Sequence, residues 1–192
     1  ESLKIPWKTI AKFCAVGFII ALHWLAFFSA IKVSNVSVTL AVMSTGAFFA
    51  SFLEPIMYRR KVKGYEVFFG LIVVIGLYVI FKFESNYFLG ILLALASSFL
   101  GALFSVFNGK FVEKHSPSVI TFYELLAGVF CITVFLFFKG SFTPSFFKLT
   151  SDDWLYLIIL ASFCTAYAFI ASVHVMKWIS PYTVMLTTNM EP

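Results

Sequence analysis

The chain has 192 residues, of which 61% are hydrophobic and 12% charged, and its mean hydropathy is +0.97. An average soluble domain is about half apolar and a quarter charged, so this composition excludes an ordinary soluble globular protein and implies a membrane protein. The net charge of +5 does not point to nucleic acid, because the basic residues sit in short loops between apolar runs, where they set topology.

Along the chain, charge-poor apolar runs of roughly 18 to 23 residues recur, the length that crosses a hydrocarbon core of about 30 Å as a helix. They fall at 11 to 31, 36 to 57, 65 to 83, 87 to 107, 118 to 138 and 154 to 176, and a seventh begins near 180. Backbone amides in lipid need internal partners, so such segments are helices or closed barrels, and long runs without strand-like alternation predict helices. The expected fold class is an all-α integral membrane protein. The chain begins with Glu1, no signal-peptide pattern precedes the first run, and the last run is short. It therefore reads as a fragment with six complete helices and part of a seventh. Cys14, Cys131 and Cys164 lie in different runs without C-x-x-C spacing, which argues against a disulfide framework and a zinc site. No metal and no cofactor are expected.

If the first run starts on the cytoplasmic side, the inside loops carry Lys4, Lys8, Lys12, Arg59, Arg60, Lys61, Lys63, Lys110, Lys114 and Lys177. The outside loops carry Lys32, Lys82, Lys139 and Lys148, with Glu84, Asp152 and Asp153. This asymmetry obeys the positive-inside rule, and the reverse orientation does not. The cluster "YRRKVK" at 58 to 63 reads as a juxtamembrane anchor.

The stretch "IIALHWLAFFSAIKVSNVSV" at 19 to 38 resembles "CTAYAFIASVHVMKWISPYTV" at 164 to 184. A shift of 145 pairs Ala21 with Ala166, Ala26 with Ala171 and Lys32 with Lys177, and one extra residue then pairs Ser34 with Ser180. The two spans run in opposite directions, which implies an odd number of spans per repeat, and five fits. Inverted repeats of this kind build many secondary transporters, with the substrate site near the bilayer midplane.

Four stretches together, "ALHWLAFFSAIKVSNVSVTLA", "FLEPIMYRRKVKGYEVFFGLIVVIGLYVIF", "FNGKFVEKHSPSVITFYELLAG" and "TAYAFIASVHVMKWISPYTVMLTTNMEP", resemble an EamA-type transporter of the drug/metabolite transporter superfamily. The resemblance implies two inverted five-helix repeats, ten helices in all. Residues 1 to 84 would be the C-terminal part of the first repeat and 85 to 192 the N-terminal part of the second. By that comparison the chain runs from the loop before the third helix to the middle of the ninth. The family commonly has a proline part way along the fourth helix, where this chain has "STGAFF".

Ionisable groups deep in a membrane helix cost at least about 2.5 kcal/mol on insertion scales, which makes each a functional candidate. His23 and Glu191 are the deepest, both about 16 Å in by helical rise. His23, beside Trp24, could carry a proton or could pin two helices as a neutral ring. Glu191 follows Thr187, Thr188 and Asn189 and precedes Pro192, so it marks either a kink or a cavity-lining break. Shift 146 makes Thr45 its counterpart in the first repeat. Glu124, after Tyr123, is a cavity-mouth carboxylate or a hydrogen-bond partner of Asn108. Ser97, Gly101 and Ser105 have small-x-x-x-small spacing and read as packing. Glu54, five residues from Arg59, reads as an interfacial carboxylate, and His115 and His174 as interfacial.

The candidate substrate-binding or coupling residues are thus His23, Trp24, Thr45, Tyr123, Glu124, Asn189 and Glu191. The resemblance implies a secondary transporter of a bacterial inner membrane that moves small metabolites such as amino acids, outward, by alternating access. A multidrug or lipophilic-cation exporter is the alternative. A non-transporting scaffold and an intramembrane enzyme are the competing classes, and the second lacks any G-x-S-x-G, H-E-x-x-H or C-x-x-C motif. The expected partners are a small solute and the lipid bilayer, with no nucleic acid; a homo-oligomer is left open.

Overall fold

A computed structural model describes residues 5 to 189, apart from the side chain of Val67, and every regular element among them is helical. In chain order these are α1 (Trp7–Val33), α2 (Val36–Met43), α3 (Gly46–Tyr58), α4 (Gly64–Phe83), α5 (Phe88–Phe111), α6 (Pro117–Phe138), α7 (Ser151–Ile159), α8 (Ala168–Val175) and α9 (Pro181–Thr188). Six helical stretches among the described residues are long and apolar enough to cross a membrane: Trp7–Val33, Val36–Tyr58, Gly64–Phe83, Ser85–Phe111, Pro117–Phe138 and Ser151–Val175. They coincide with the six expected runs, and α9 begins where the seventh was expected.

Local chemistry sets the boundaries. Asn35 caps α2 by accepting from the Val38 N–H at 2.8 Å, and Ser180 caps α9 by accepting from the Thr183 N–H at 3.3 Å. Pro117 and Pro181 occupy the first turns of α6 and α9, where their missing N–H costs nothing. Thr150 and Asp153 bond each other reciprocally at the start of α7. The sixth span is less regular than its composition suggests: α7 and α8 are joined by a π-helical stretch, Leu160–Tyr167, none of it buried.

Helix α5 is the hub, in contact with α1, α2, α3, α8 and α9. Its buried face is built from small residues, among them Gly90, Ala94, Ser98, Gly101, Ala102 and Gly109, which let several backbones approach one helix. Helix α1 lies against both α5 and α6. At Gly17 a Cβ would collide with the Glu124 carbonyl oxygen and stand 2.8 Å from the Ala127 Cβ. Main chain cannot rotate away as a side chain can, so Gly17→Ala is expected to cost about 1 to 3 kcal/mol of overpacking. Gly76→Ala in α4, where nothing lies within 4 Å, is the control. Thermal unfolding in detergent measures both, and equal unfolding temperatures would rule out the close approach of α1 and α6.

The structure departs from the expected elements at one instructive place. The second span was expected as one helix from 36 to 57 and is broken at Ser44–Thr45, between α2 and α3. Serine and threonine offer the backbone local side-chain partners, and Gly46 is a weak helix former, so "STG" opens the ladder without a proline.

Candidate functional site

Inside a membrane, a helix break is allowed only where its freed carbonyls find other donors. Between α2 and α3 the carbonyls of residues 41 to 44 lose their regular i to i+4 partners, and each has a replacement. Ala41 O accepts from Ser44 Oγ at 2.7 Å and Val42 O from the Thr45 N–H at 3.1 Å. Met43 O accepts from Ser98 Oγ on α5 at 3.0 Å. Ser44 O accepts from Asn189 Nδ2 at 2.9 Å, across 145 positions of sequence. Thr45 supports the set from behind, donating through Oγ1 to Ser98 Oγ at 2.9 Å.

Asn189 follows directly on α9 and is the last of the described residues. The pair Ser44 and Asn189, the helix starts Val36 and Pro181, and the caps Asn35 and Ser180 are each 145 residues apart. The extra residue expected in the repeat alignment is therefore not present in the helices. In this register Thr45 is not the counterpart of Glu191; Gly46 is. Glu191 lies outside the described residues. A helical rise of 1.5 Å per residue puts Ser44 and Asn189 about 13 Å from the starts of α2 and α9, near mid-span.

Around this meeting point is a pocket of about 410 Å³ whose lining includes Phe27, Met43, Ser44, Met185, Thr188 and Asn189. Its walls are apolar, and its polar groups are the serine, the threonine and the amide. That combination can hold a small solute by shape while orienting it through a few hydrogen bonds. Of the residues singled out from sequence, Asn189 lines this pocket. Thr45 does not; it is buried and turned to Ser98.

His23 stands one turn before Phe27, whose ring stacks near it at 6.4 Å between centroids. Its Nδ1 lies 2.8 Å from the Ser97 carbonyl oxygen, while Ser97 Oγ donates to the His23 carbonyl at 3.0 Å. Because a carbonyl can only accept, Nδ1 carries the proton and Nε2 is the acceptor in the neutral ring. Gly101 makes room for the imidazole, since a Cβ there would stand 3.3 Å from it. His23 thus pins α1 to α5 beside the pocket without lining it. Trp24 is half-buried and outside the lining. Tyr123 packs on a separate cluster that includes Phe13, Val112 and Ile120. Glu124 is fully buried and accepts from Asn108 Nδ2 at 3.0 Å, the hydrogen-bond alternative weighed from sequence and not a cavity mouth. His115 meets the ring of Phe13 edge-on.

The end of the bundle that carries the basic loops holds a larger cavity of about 750 Å³, bordered by Glu54, Tyr58, Glu113, His115 and Lys177. It is a vestibule between helix ends, lacking the broken-helix polar groups of the smaller pocket. At its edge stands Glu54, expected as an interfacial carboxylate near the basic loop, and here enclosed by two partners. It is 5% exposed, takes Arg60 Nε at 3.0 Å on one oxygen, and accepts the Tyr182 N–H at 2.9 Å on the other. The reason is tertiary: after Arg59 turns left-handed the chain folds back, so Arg60 reaches both Glu54 and Glu66, the latter at 2.7 Å. The Glu66 hydrogen bond holds the Arg60 proton more tightly than usual. Sequence reading missed Ser44, Ser98, Met43 and Met185; the "STG" triplet was the available signal for the first.

A protein-family model described as the EamA-like transporter family matches residues 88–192. Comparison with curated proteins and with solved structures finds no significant match.

Proposed function

We propose that this chain, which belongs to the EamA-like transporter family, binds a small polar metabolite such as an amino acid where α9 meets the break between α2 and α3, and moves it outward across a bacterial inner membrane by alternating access. One observation carries the reading: corresponding positions of the two repeats, 145 residues apart, meet through Asn189 and Ser44 around a pocket of about 410 Å³. Discontinuous helices that offer unwound backbone at mid-span are how many secondary transporters build a solute site. The volume lies within the range of small-molecule sites. Among the described residues that line the pocket, the Phe27 ring is the group that would attract a lipophilic cation, whereas Ser44, Thr188 and Asn189 offer hydrogen bonds. That favours a solute recognised by hydrogen bonds.

Filling the pocket tests the reading. Met185→Trp is expected to reduce the flux of labelled amino acids in proteoliposomes more than tenfold, because the indole occupies the space beside Asn189. Phe130→Trp, at a position 69% exposed on α6, is expected to leave flux unchanged. A Met185→Trp protein that transports as fast as the wild type would exclude the pocket as the solute site. Vesicles that accumulate lipophilic cations but no amino acid would replace the proposed solute class with the alternative.

A further inference from the structure

Glu124 on α6 is 0% exposed, and its carboxyl takes one hydrogen bond, from Asn108 Nδ2 to Oε2 at 3.0 Å. Its other oxygen, Oε1, has no partner in the protein, and neither has Oδ1 of that same Asn108, a residue 1% exposed. The two orphaned atoms are thus the second atoms of two groups that already touch. Among the described residues the ion pairs are those of Arg60 with Glu54 and Glu66, so no cation stands against Glu124. An ionised carboxylate there is a buried, uncompensated charge, which a membrane interior penalises heavily. Ser105 Oγ and Thr121 Oγ1 also lack partners. A hydroxyl, however, can turn to donate to a carbonyl one turn back in its own helix, a remedy that an acceptor-only oxygen lacks.

A single proton on Oε1 satisfies both orphaned atoms. Oε1–H then donates to Asn108 Oδ1 while Asn108 Nδ2–H continues to donate to Oε2, and the two planar groups form a closed pair with two hydrogen bonds. The torsions that align them, the terminal ones of Glu and Asn, are broad and soft. The same proton removes the buried charge, so burial and pairing both favour the neutral acid. Little nearby opposes them. On α1, whose Gly17 abuts the Glu124 main chain, the positions one turn to either side are Phe13, Cys14, Ile20 and Ala21, so a thiol is the titratable group on that flank. Helix α8 presents Phe169 and Val173 to the apolar cluster here, and the Tyr123 ring packs on the same cluster. Towards the basic end, Lys110 Nζ is held by the Met57 carbonyl at 2.7 Å, and His115 meets the Phe13 ring.

We infer that Glu124 is a proton-binding site, its Oε1–H held by Asn108 Oδ1 at neutral pH, and that the resulting acid–amide pair fastens α6 to α5. Release runs towards the basic end. Val112, one turn beyond Asn108 on the same face of α5, borders the vestibule of about 750 Å³, where Glu113 and His115 also stand. When the O–H bond breaks, the electron pair stays on Oε1 and the proton passes to water at that end. Asn108 Oδ1 then loses its donor, and the pair falls back to the single bond from Nδ2. Ser98 of α5 holds the Met43 carbonyl at the helix break, so the proton sets how α6 is tied to the helix that supports the solute pocket. The inference does not rest on the solute reading, because its test reads protonation and stability and not flux.

The test is infrared spectroscopy of the purified protein in a maltoside detergent, which has no carbonyl group to mask the carboxylic-acid stretch. At neutral pH the exposed carboxylates, and Glu54 and Glu66 on Arg60, are ionised. A carboxylic-acid band that shifts in heavy water is therefore expected from Glu124 and is expected to vanish in Glu124→Gln. Asn108→Ala is expected to move the band to higher frequency, because the acid's carbonyl oxygen, Oε2, loses the Nδ2–H. Glutamine imitates the protonated acid, with Nε2–H in place of Oε1–H, so Glu124→Gln is expected to unfold at a temperature at least as high as the wild type at neutral pH. A group that binds its proton more tightly folded than unfolded loses its stabilising contribution as pH rises. Raising the pH into the alkaline range is accordingly expected to lower the unfolding temperature of the wild type more than that of Glu124→Gln. The absence of an acid band in the wild type, or its persistence in Glu124→Gln, would overturn the site. So would a Glu124→Gln protein far less stable than the wild type at neutral pH, or equal alkaline losses in the two.

Discussion

Glu54→Ala is expected to lower the unfolding free energy by about 2 to 4 kcal/mol, the largest stability effect anticipated for a single side chain here. The carboxylate is 5% exposed and serves two groups at once, Arg60 Nε and the Tyr182 N–H. Removing it leaves an N–H in the first turn of α9 buried without an acceptor and takes a negative charge from the positive end of that helix's dipole. Breaking a fully buried ion pair costs about 3 to 5 kcal/mol, but the Arg60 side chain is 24% exposed and keeps Glu66, which reduces the figure. Glu54→Gln separates the two roles. Its amide oxygen still accepts from Tyr182 while Arg60 loses one of its two carboxylate partners and keeps Glu66, so its loss is expected to be about half as large. Denaturant unfolding in detergent micelles, with exposed Asp152→Ala as the control, checks both. If Glu54→Gln and Glu54→Ala lose equal stability, the Tyr182 contact contributes nothing.

Glu54 also shows where sequence reading stops. Its depth in α3 was readable by counting residues from the basic cluster, and the count correctly placed it near the loops. What the count could not supply was the return of the chain over it: Arg60 folding back, Glu66 arriving from α4, and the N-terminus of α9 landing on its second oxygen. Each depends on tertiary contact across up to 128 positions of sequence. The six spans were legible because the thickness of a bilayer dictates helix length, independent of packing. The pairing of Asn108 with Glu124 was legible as one of two alternatives, since both residues are polar in apolar helices near the same end. Ser97 was legible as a small packing residue but not as the partner of His23, because a serine seen alone does not reveal which helix faces it. The break at Ser44–Thr45 was hidden by the apolar run around it; no proline announces it, and its cost is met by Ser98 and Asn189 from other helices.

Asn189→Leu is expected to reduce solute flux at least tenfold while lowering stability by only about 1 kcal/mol, the usual size of one interhelical hydrogen bond in a membrane. The inequality follows from what Asn189 touches. Its Nδ2 donates to the main-chain oxygen of Ser44, so it ties α9 to the break between α2 and α3 while lining the pocket. Leucine matches it in size and offers no hydrogen bond. Asn189→Asp keeps the shape and an acceptor but loses the donor and adds a charge facing the Ser44 carbonyl, and its flux is expected to be no better than that of leucine. Ser44→Ala behaves differently, because the contact uses the backbone: the carbonyl remains for Asn189 and only the Ser44 Oγ to Ala41 O bond is lost. Flux in Ser44→Ala is therefore expected to fall less than in Asn189→Leu. Initial rates in proteoliposomes, normalised to the amount of folded protein inserted, separate these cases. If Asn189→Leu transports normally per folded molecule while unfolding more easily, the amide is a structural fastener between the two helices and the solute is recognised elsewhere.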